Sequence, residues 1–311
     1  MSLQQGHPST ASGLGRGIYA ILYAFFDADG ALDRDAMRRQ TEACIASGAH
    51  GMAALGLATE VHKLTPAERL DVMRWLIEDT AGRVPVSITV YGNQPPEQIA
   101  FVEQAARLGV DWVILQPPRD RTVSEAELLS FFAEVMNASP LPCAIQNAPA
   151  FLPNSLSDSG LVRLAERCPN FTLLKGEGSA LDIRAAIEAT GDRLDVLNGR
   201  GGLELTDNFR AGCSGMIIAP ELADVQVRIW EMLLSGDETG AEKVYADILP
   251  LVTFLMQSVE QFICYGKRLT AQRLELGPVH DRAPTQAPTD LGLDCLKRYA
   301  AGLEPYPRPM A

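Results

Sequence analysis

The sequence predicts a closed (β/α)8 barrel, a TIM barrel, carrying a helical extension at its C-terminal end. Three observations predict it. Between Gly17 and Ala219, eight short apolar segments alternate with amphipathic ones, and such alternation implies parallel strands joined by helical crossovers. A count of eight favours closure into a barrel over an open sheet. No Gly-x-Gly-x-x-Gly follows the first apolar segment, which argues against an open dinucleotide-binding fold, and no Walker A motif is present.

In chain order, Gly17 to Phe26 is apolar throughout, as suits a strand buried on both faces. Asp33 to Ser47 has helical periodicity, with Asp33 as N-cap and Gly48 as terminator. Gly51 to Leu55 is a second strand and residues 56–60 a loop. Thr65-Pro66-Ala67-Glu68 is a capping box with proline at the first helical position, opening a helix to about Thr80. Strands follow at Val84 to Val90, Trp112 to Leu115, Cys143 to Ile145, Phe171 to Gly176, Leu194 to Leu197 and Met216 to Ala219. Helices intervene at Pro96 to Leu108, Ser124 to Met136, Ser157 to Arg167, Ala180 to Ala189 and Gly202 to Arg210. Beyond Asp224 the strand pattern stops. Val225 to Leu234, Gly240 to Phe262, Ile263 to Leu274 and Asp290 to Gly302 read as helices, with Lys267, Arg268, Arg273 and Glu275 on a solvated face. The organisation expected is therefore a loose segment over 1–16, a catalytic barrel over 17–223 and a packed helical extension over 224–311.

The chain has 311 residues, 47% of them hydrophobic, and a formal net charge of −12. An acidic balance with no basic stripe excludes nucleic acid as a partner. Six cysteines without Cys-x-x-Cys spacing read as reduced, mostly buried side chains of a cytoplasmic protein. Four histidines show neither His-Glu-x-x-His nor His-x-His, so no metal site is expected. The first sixteen residues lack the basic start and apolar core of a signal peptide. No apolar run reaches the length of a membrane span, so no membrane partner is expected.

The chemistry centres on Phe171-Thr172-Leu173-Leu174-Lys175-Gly176. It is an apolar run that stops on a lysine and then a glycine, and Lys175 is one of only five lysines. In a barrel this end of a strand opens into the active-site mouth. Burial disfavours the charged form of an amine, and a free amine beside a carbonyl substrate forms a Schiff base.

Four motifs, in order, resemble one family. Gly56-Leu57-Ala58-Thr59-Glu60 resembles a Gly-Thr-Thr-Gly-Glu loop. Gln146-Asn147-Ala148-Pro149 resembles Tyr-Asn-x-Pro. Leu174-Lys175 resembles a Schiff-base lysine strand, and Gly212-Cys213-Ser214-Gly215-Met216-Ile217 resembles Gly-x-x-Gly-x-Ile. Together they resemble the dihydrodipicolinate synthase / N-acetylneuraminate lyase family of class I aldolase-type barrels, from about Gly17 to Leu276. The resemblance implies a small 2-keto acid substrate, no cofactor beyond the covalent Schiff base on Lys175, and a homotetramer. The departures narrow it. Gln146 stands where the family has a proton-shuttling tyrosine; a glutamine does not titrate but can hold a water. Leu57 and Ala58 replace two threonines, Phe151 replaces an arginine, and Pro118 and Arg119 replace a tyrosine pair. The glutamine looks most like the branch that dehydrates 2-keto-3-deoxy-L-arabonate.

On this resemblance the amides of Ala58 and Thr59, with the Thr59 hydroxyl, would hold the substrate carboxylate, and the Ile217 carbonyl would orient the lysine or a water. Glu60 reads equally as a loop anchor or a catalyst. Glu177 and Asn198 would touch substrate hydroxyls or hold neighbouring loops, Tyr91 reads as a packed aromatic, and His62 as a surface residue. Three functions remain open: a Schiff-base lyase, dehydratase over aldolase; a metal-dependent barrel lyase, for which clustered ligands are scarce; and a non-catalytic 2-keto-acid sensor.

Overall fold

A computed structural model describes residues 13–306; residues 1–12, most of the segment expected to be loose, lie outside the described residues. The sheet is a closed barrel of eight parallel strands in sequence order. They are β1 (Gly17–Ile21), β2 (Gly51–Ala54), β3 (Val86–Val90), β4 (Trp112–Leu115), β5 (Cys143–Asn147), β6 (Phe171–Gly176), β7 (Asp195–Asn198) and β8 (Gly215–Ile218). β1 closes the ring, pairing with β2 on one side and β8 on the other. The first strand is shorter than its apolar run. Residues 22–26 stay buried but leave the ladder, since burial alone does not distinguish a strand from a packed extended segment.

Around the barrel lie α1 (Arg34–Ala46), α2 (Pro66–Thr80), α3 (Pro95–Leu108), α4 (Glu125–Ala138), α5 (Asp158–Arg167), α6 (Ala180–Thr190), α7 (Leu205–Ala211) and α8 (Ala223–Leu234). Their ends carry the signals that the sequence offers. The capping box of α2 closes reciprocally: Thr65 Oγ1 accepts from the Glu68 amide and Glu68 accepts from the Thr65 amide at 2.8 Å. Ser124 with Glu127 and Ser179 with Asp182 repeat the device on α4 and α6, and each such cap contributes about 1 kcal/mol. Gly109 ends α3 at φ 88°, where a side chain would strain the backbone.

At the N-terminal end of the barrel, Tyr19 packs edge-on to Trp112 with ring centroids 5.5 Å apart. A Cβ at position 51 would lie 2.1 Å from the Tyr19 ring, so β2 begins with glycine because the ring of β1 crosses it. The Gly15 amide donates to the Tyr19 hydroxyl at 3.1 Å, closing the floor.

After α8, which packs on β1 and α7, come α9 (Glu238–Leu255), α10 (Val259–Arg273) and α11 (Asp290–Tyr299). The boundary expected between Phe262 and Ile263 falls earlier, at Met256-Gln257-Ser258, and Ser258 caps α10 by accepting from the Gln261 amide at 3.0 Å. Helix α10 lies over the 3-10 turn Pro220–Leu222 that follows β8, and of the four charges expected on a solvated face only Glu275 is exposed. Lys267 is fully buried and pairs with the equally buried Glu60 of the β2 loop. Lys63 meets the other Glu60 oxygen at 2.5 Å. Asp281 lies 3.6 Å from Lys267 and is held by Arg268 at 2.6 Å. Arg273, also buried, grips Asp224 through two nitrogens and donates to the Glu221 carbonyl. Periodicity offered these side chains no partners, because the carboxylates that bury them come from the barrel rim.

Candidate active site

Two of the predicted site residues, Gln146 and Lys175, share one rung of the barrel, and a third, Glu177, reaches them from the turn after β6. Parallel register sets Leu115 of β4 beside Ile145 of β5, and Gln146 of β5 beside Lys175 of β6. Gln116, one residue past β4, therefore continues the rung that Gln146 and Lys175 share. Side chains on one rung of parallel neighbours face the same way, here into the barrel. Lys175 is 4% exposed. Its Nζ lies 2.7 Å from Glu177 Oε1. The same oxygen accepts from Gln146 Nε2 at 2.8 Å, and Gln146 Oε1 accepts from Gln116 Nε2 at 2.7 Å. Glu177 Oε2 accepts from no group among the described residues. The Glu177 amide donates to the Asn147 carbonyl at 3.1 Å, so the turn after β6 carries the carboxylate back over the lysine.

Lys175 and Glu177 open into a recess at the barrel mouth. Ala58 and Ile217 also line it. Its wall is largely apolar: Leu57 and Phe151 from the barrel loops face Met256, Val259 and Phe262 from the end of α9 and the start of α10. Such a wall excludes water and strengthens the electrostatics of the few polar groups inside. The other cation on it is Arg200. Its Nη1 donates to the Gly178 carbonyl at 3.0 Å and to Glu204 at 2.8 Å.

The loop after β2 is held in an unusual shape. Leu55 (φ 64°) and Glu60 (φ 55°) both adopt left-handed backbone without being glycine. Each such residue stores about 1–3 kcal/mol, which the surroundings must offset. Thr59 supplies part of that: its hydroxyl donates to the Leu22 carbonyl at 2.6 Å and accepts from the Leu55 amide at 2.9 Å. The hydroxyl proton expected to meet a substrate carboxylate is therefore spent on the backbone, because Thr59 points beneath the loop and not into the recess. Glu60 supplies the rest through Lys63 and Lys267; it anchors the loop and does not line the recess. Among the described residues, no group accepts from the Ala58 or Thr59 amide, so the turn leaves donors of the expected kind. Asn198 is also structural. It donates to the Gly178 carbonyl at 3.0 Å and to Asn208 at 2.8 Å, and accepts from the Gly199 amide at 2.8 Å, which uses up its amide on the loops after β6 and β7. The Tyr91 ring is covered by the Arg69 guanidinium at 4.6 Å, in keeping with a packed aromatic.

Sequence reasoning missed Gln116, Arg200 and a buried pair, Tyr23 and Glu221. The Tyr23 hydroxyl donates to Glu221 Oε2 at 3.0 Å, behind the Phe262 ring. Burial pushes the Glu221 carboxyl up to about 7, and burial together with that neighbouring carboxylate pushes the Tyr23 phenol well above its usual range. Gln116 carried a signal of a kind, a polar residue ending a strand that is otherwise apolar. Among the described residues, no group of three or more His, Cys, Asp or Glu side chains could hold a metal ion, and no helix is long and apolar enough to cross a membrane.

The model of the dihydrodipicolinate synthetase family matches residues 15–284. L-2-keto-3-deoxyarabonate dehydratase of Azospirillum brasilense is 29% identical over 243 residues, covering 76% of this chain and 78% of that protein. 4-Hydroxy-tetrahydrodipicolinate synthase of Methylobacterium radiotolerans is 30% identical over 233 residues, covering 73% and 76%. Among solved structures, the prophage protein YagE of E. coli K12, in complex with pyruvate, superposes with a TM-score of 0.85 at 25% identity, over 93% of this chain and 98% of that one.

Proposed function

The chain belongs to the dihydrodipicolinate synthetase family, and on that premise we propose that it is a hydro-lyase that captures a 2-keto-3-deoxy sugar acid as a Schiff base on Lys175. The best fit is 2-dehydro-3-deoxy-L-arabonate, converted to 2,5-dioxopentanoate and water. The observation that carries this reading is the Lys175–Glu177–Gln146 cluster: an amine and a carboxylate 2.7 Å apart, with a glutamine amide clamping the carboxylate where a tyrosine would shuttle protons.

The Lys175 ammonium passes a proton to Glu177, and the free amine attacks the C2 ketone. Glu177 returns that proton to the carbinolamine hydroxyl, which leaves as water to give an iminium; the iminium acidifies C3 and serves as an electron sink. Glu177 takes a C3 proton. Glu177 lines the recess, and its second oxygen is engaged by no protein donor among the described residues, which leaves it open for general acid–base transfer. The enamine then expels the C4 hydroxyl, which leaves as water with the proton that Glu177 returns. One proton from C5 and one from the C5 hydroxyl move to C3 and C4, giving the aldehyde, and hydrolysis of the iminium frees Lys175. The Ala58 and Thr59 amides hold the substrate carboxylate at the turn after β2. Gln146 thus orients the base; both ends of its amide are engaged by protein. The dehydratase relative supports loss of water over carbon–carbon cleavage. We also read the protein as a cytoplasmic homotetramer, supported by free cysteines and by exposed Leu249, Leu291 and Leu293 on α9 and α11.

The test is reduction with borohydride in the presence of pyruvate, followed by mass measurement and mapping of the adduct. The expected result is one adduct, on Lys175, absent from Lys175→Ala. Turnover of 2-keto-3-deoxypentonate then gives the semialdehyde with neither pyruvate nor glycolaldehyde. Release of those two fragments means an aldolase, and an adduct without turnover means a 2-keto-acid binding protein.

A further inference from the structure

We propose that Gln116 is a positioning residue for the reaction at Lys175: by donating to Gln146 Oε1 it fixes which end of the Gln146 amide faces Glu177. The proposal rests on the Schiff-base reading of Lys175.

The argument is one of hydrogen-bond direction. A primary amide has an oxygen that only accepts and a nitrogen that only donates, and turning it end for end exchanges the two. Glu177, facing Lys175, needs donors around its Oε1, and Gln146 Nε2 is one of them at 2.8 Å. With Nε2 so committed, Gln146 Oε1 points the other way and needs a donor. Gln116 Nε2 supplies it at 2.7 Å. Gln116 is fully buried, and its backbone is pinned on two sides. Its amide donates to the Val90 carbonyl of β3 at 3.1 Å, and its carbonyl accepts from Gln98 Nε2 of α3 at 2.8 Å.

The arrangement leaves a buried acceptor unmet, because Gln116 Oε1 has no partner among the described residues. An orphaned buried oxygen costs free energy, so the orientation is not chosen for Gln116's own benefit. Turning Gln116 would set its oxygen against Gln146 Oε1. Turning both would set Gln146 Oε1 against the Glu177 carboxylate. The line of donors runs from Gln116 through Gln146 to the carboxylate, and the charge at its end dictates the sense. The charged side chains facing the line are Lys175 and Glu177 from β6; β3, α3 and β5 present Val90, Gln98 and Gln146, which are uncharged.

The test substitutes a side chain whose donor can be switched. In Gln116→Glu the protonated carboxyl still donates to Gln146 Oε1, whereas the ionised one only accepts and forces Gln146 to turn. Burial raises the titration of the introduced carboxyl into the accessible range. The readout is the rate of borohydride-trappable pyruvate adduct on Lys175, as a ratio to wild type at each pH. The expected ratio is near one at about pH 5 and falls about tenfold by about pH 8, the size of a lost charge-assisted hydrogen bond. A packing role alone gives a ratio that does not vary with pH, and that result overturns the proposal. Gln116→Met, similar in volume and without a donor, is expected to be about tenfold slower across the whole range, with half-saturation by pyruvate little changed. A wild-type rate in this variant overturns the proposal even if Gln116→Glu does not fold. Absence of any Lys175 adduct in the wild type overturns the Schiff-base reading itself and is told apart from either result by that control.

Discussion

Removing Lys267 should cost more stability than any exposed charge in the chain. Lys267→Met keeps the length and apolar stem of the side chain but deletes the ammonium that pairs with Glu60, both residues being fully buried. Breaking a buried pair by deleting one partner typically costs about 3–5 kcal/mol, because the remaining charge stays out of water. Here Glu60 keeps Lys63 at 2.5 Å, and Asp281 keeps Arg268 at 2.6 Å, which places the expected loss near the lower end, about 3 kcal/mol. That is a large part of the roughly 5–15 kcal/mol by which domains are stable. Urea unfolding at constant pH measures it, and two features identify its origin. The loss is nearly independent of salt, since a buried pair is little screened. A double-mutant cycle with Glu60→Gln returns a coupling of about 2 kcal/mol, as expected for residues in direct contact. A loss under about 1 kcal/mol, or one that vanishes in high salt, would show that the pair behaves like an exposed one and refute the reasoning. Catalysis should suffer in parallel, because Glu60 fixes the loop that carries the Ala58 and Thr59 amides.

Two further expectations concern other buried carboxylates, Glu177 and Glu221. Glu177→Gln preserves the shape and the acceptor that meets Gln146 but cannot carry a proton, so steady-state kinetics should show kcat lower by about 10²–10⁴ with KM little changed; kcat within threefold of wild type would mean another group moves the proton. Glu221, lifted by burial from 4.5 to about 7, keeps its proton in the fold at pH values where the unfolded chain has lost it. Stability therefore falls as pH rises from about 4.5 to about 7, by about 3 kcal/mol in all, and Glu221→Gln should abolish that slope in urea titrations while leaving stability at about pH 4 unchanged.

The sequence made the barrel legible because its signals are local. Apolar runs, the Thr65-Pro66-Ala67-Glu68 box and helix-ending glycines such as Gly48 and Gly109 act within a few residues of where they stand. Lys175 was legible for the same reason: it ends an apolar run. What escaped is what depends on distant partners. Glu60 and Lys267 are separated by 207 positions, and nothing in either neighbourhood announces the other. Thr59 looked like a donor because its residue type suits that role, but which way a hydroxyl points is decided by the Leu22 carbonyl across the loop. Gln116 reads as a polar strand end until register places it beside Gln146. The break between α9 and α10 was hidden by the apolar residues on both sides of Ser258, whose cap is legible only once Met256 and Gln257 are known to be non-helical.

The carboxyl-terminal helices also set the limits of exchange between relatives. Met256, Val259 and Phe262 furnish one side of the recess, and Lys267 and Arg273 rivet that side to the rim. A chimera that grafts a foreign tail after residue 255 inherits eight strands and the reactive amine, yet it loses Lys267, the second of the two cations on Glu60, and the wall that shuts out water. Selectivity and loop geometry in this chain would thus be transplanted together or lost together.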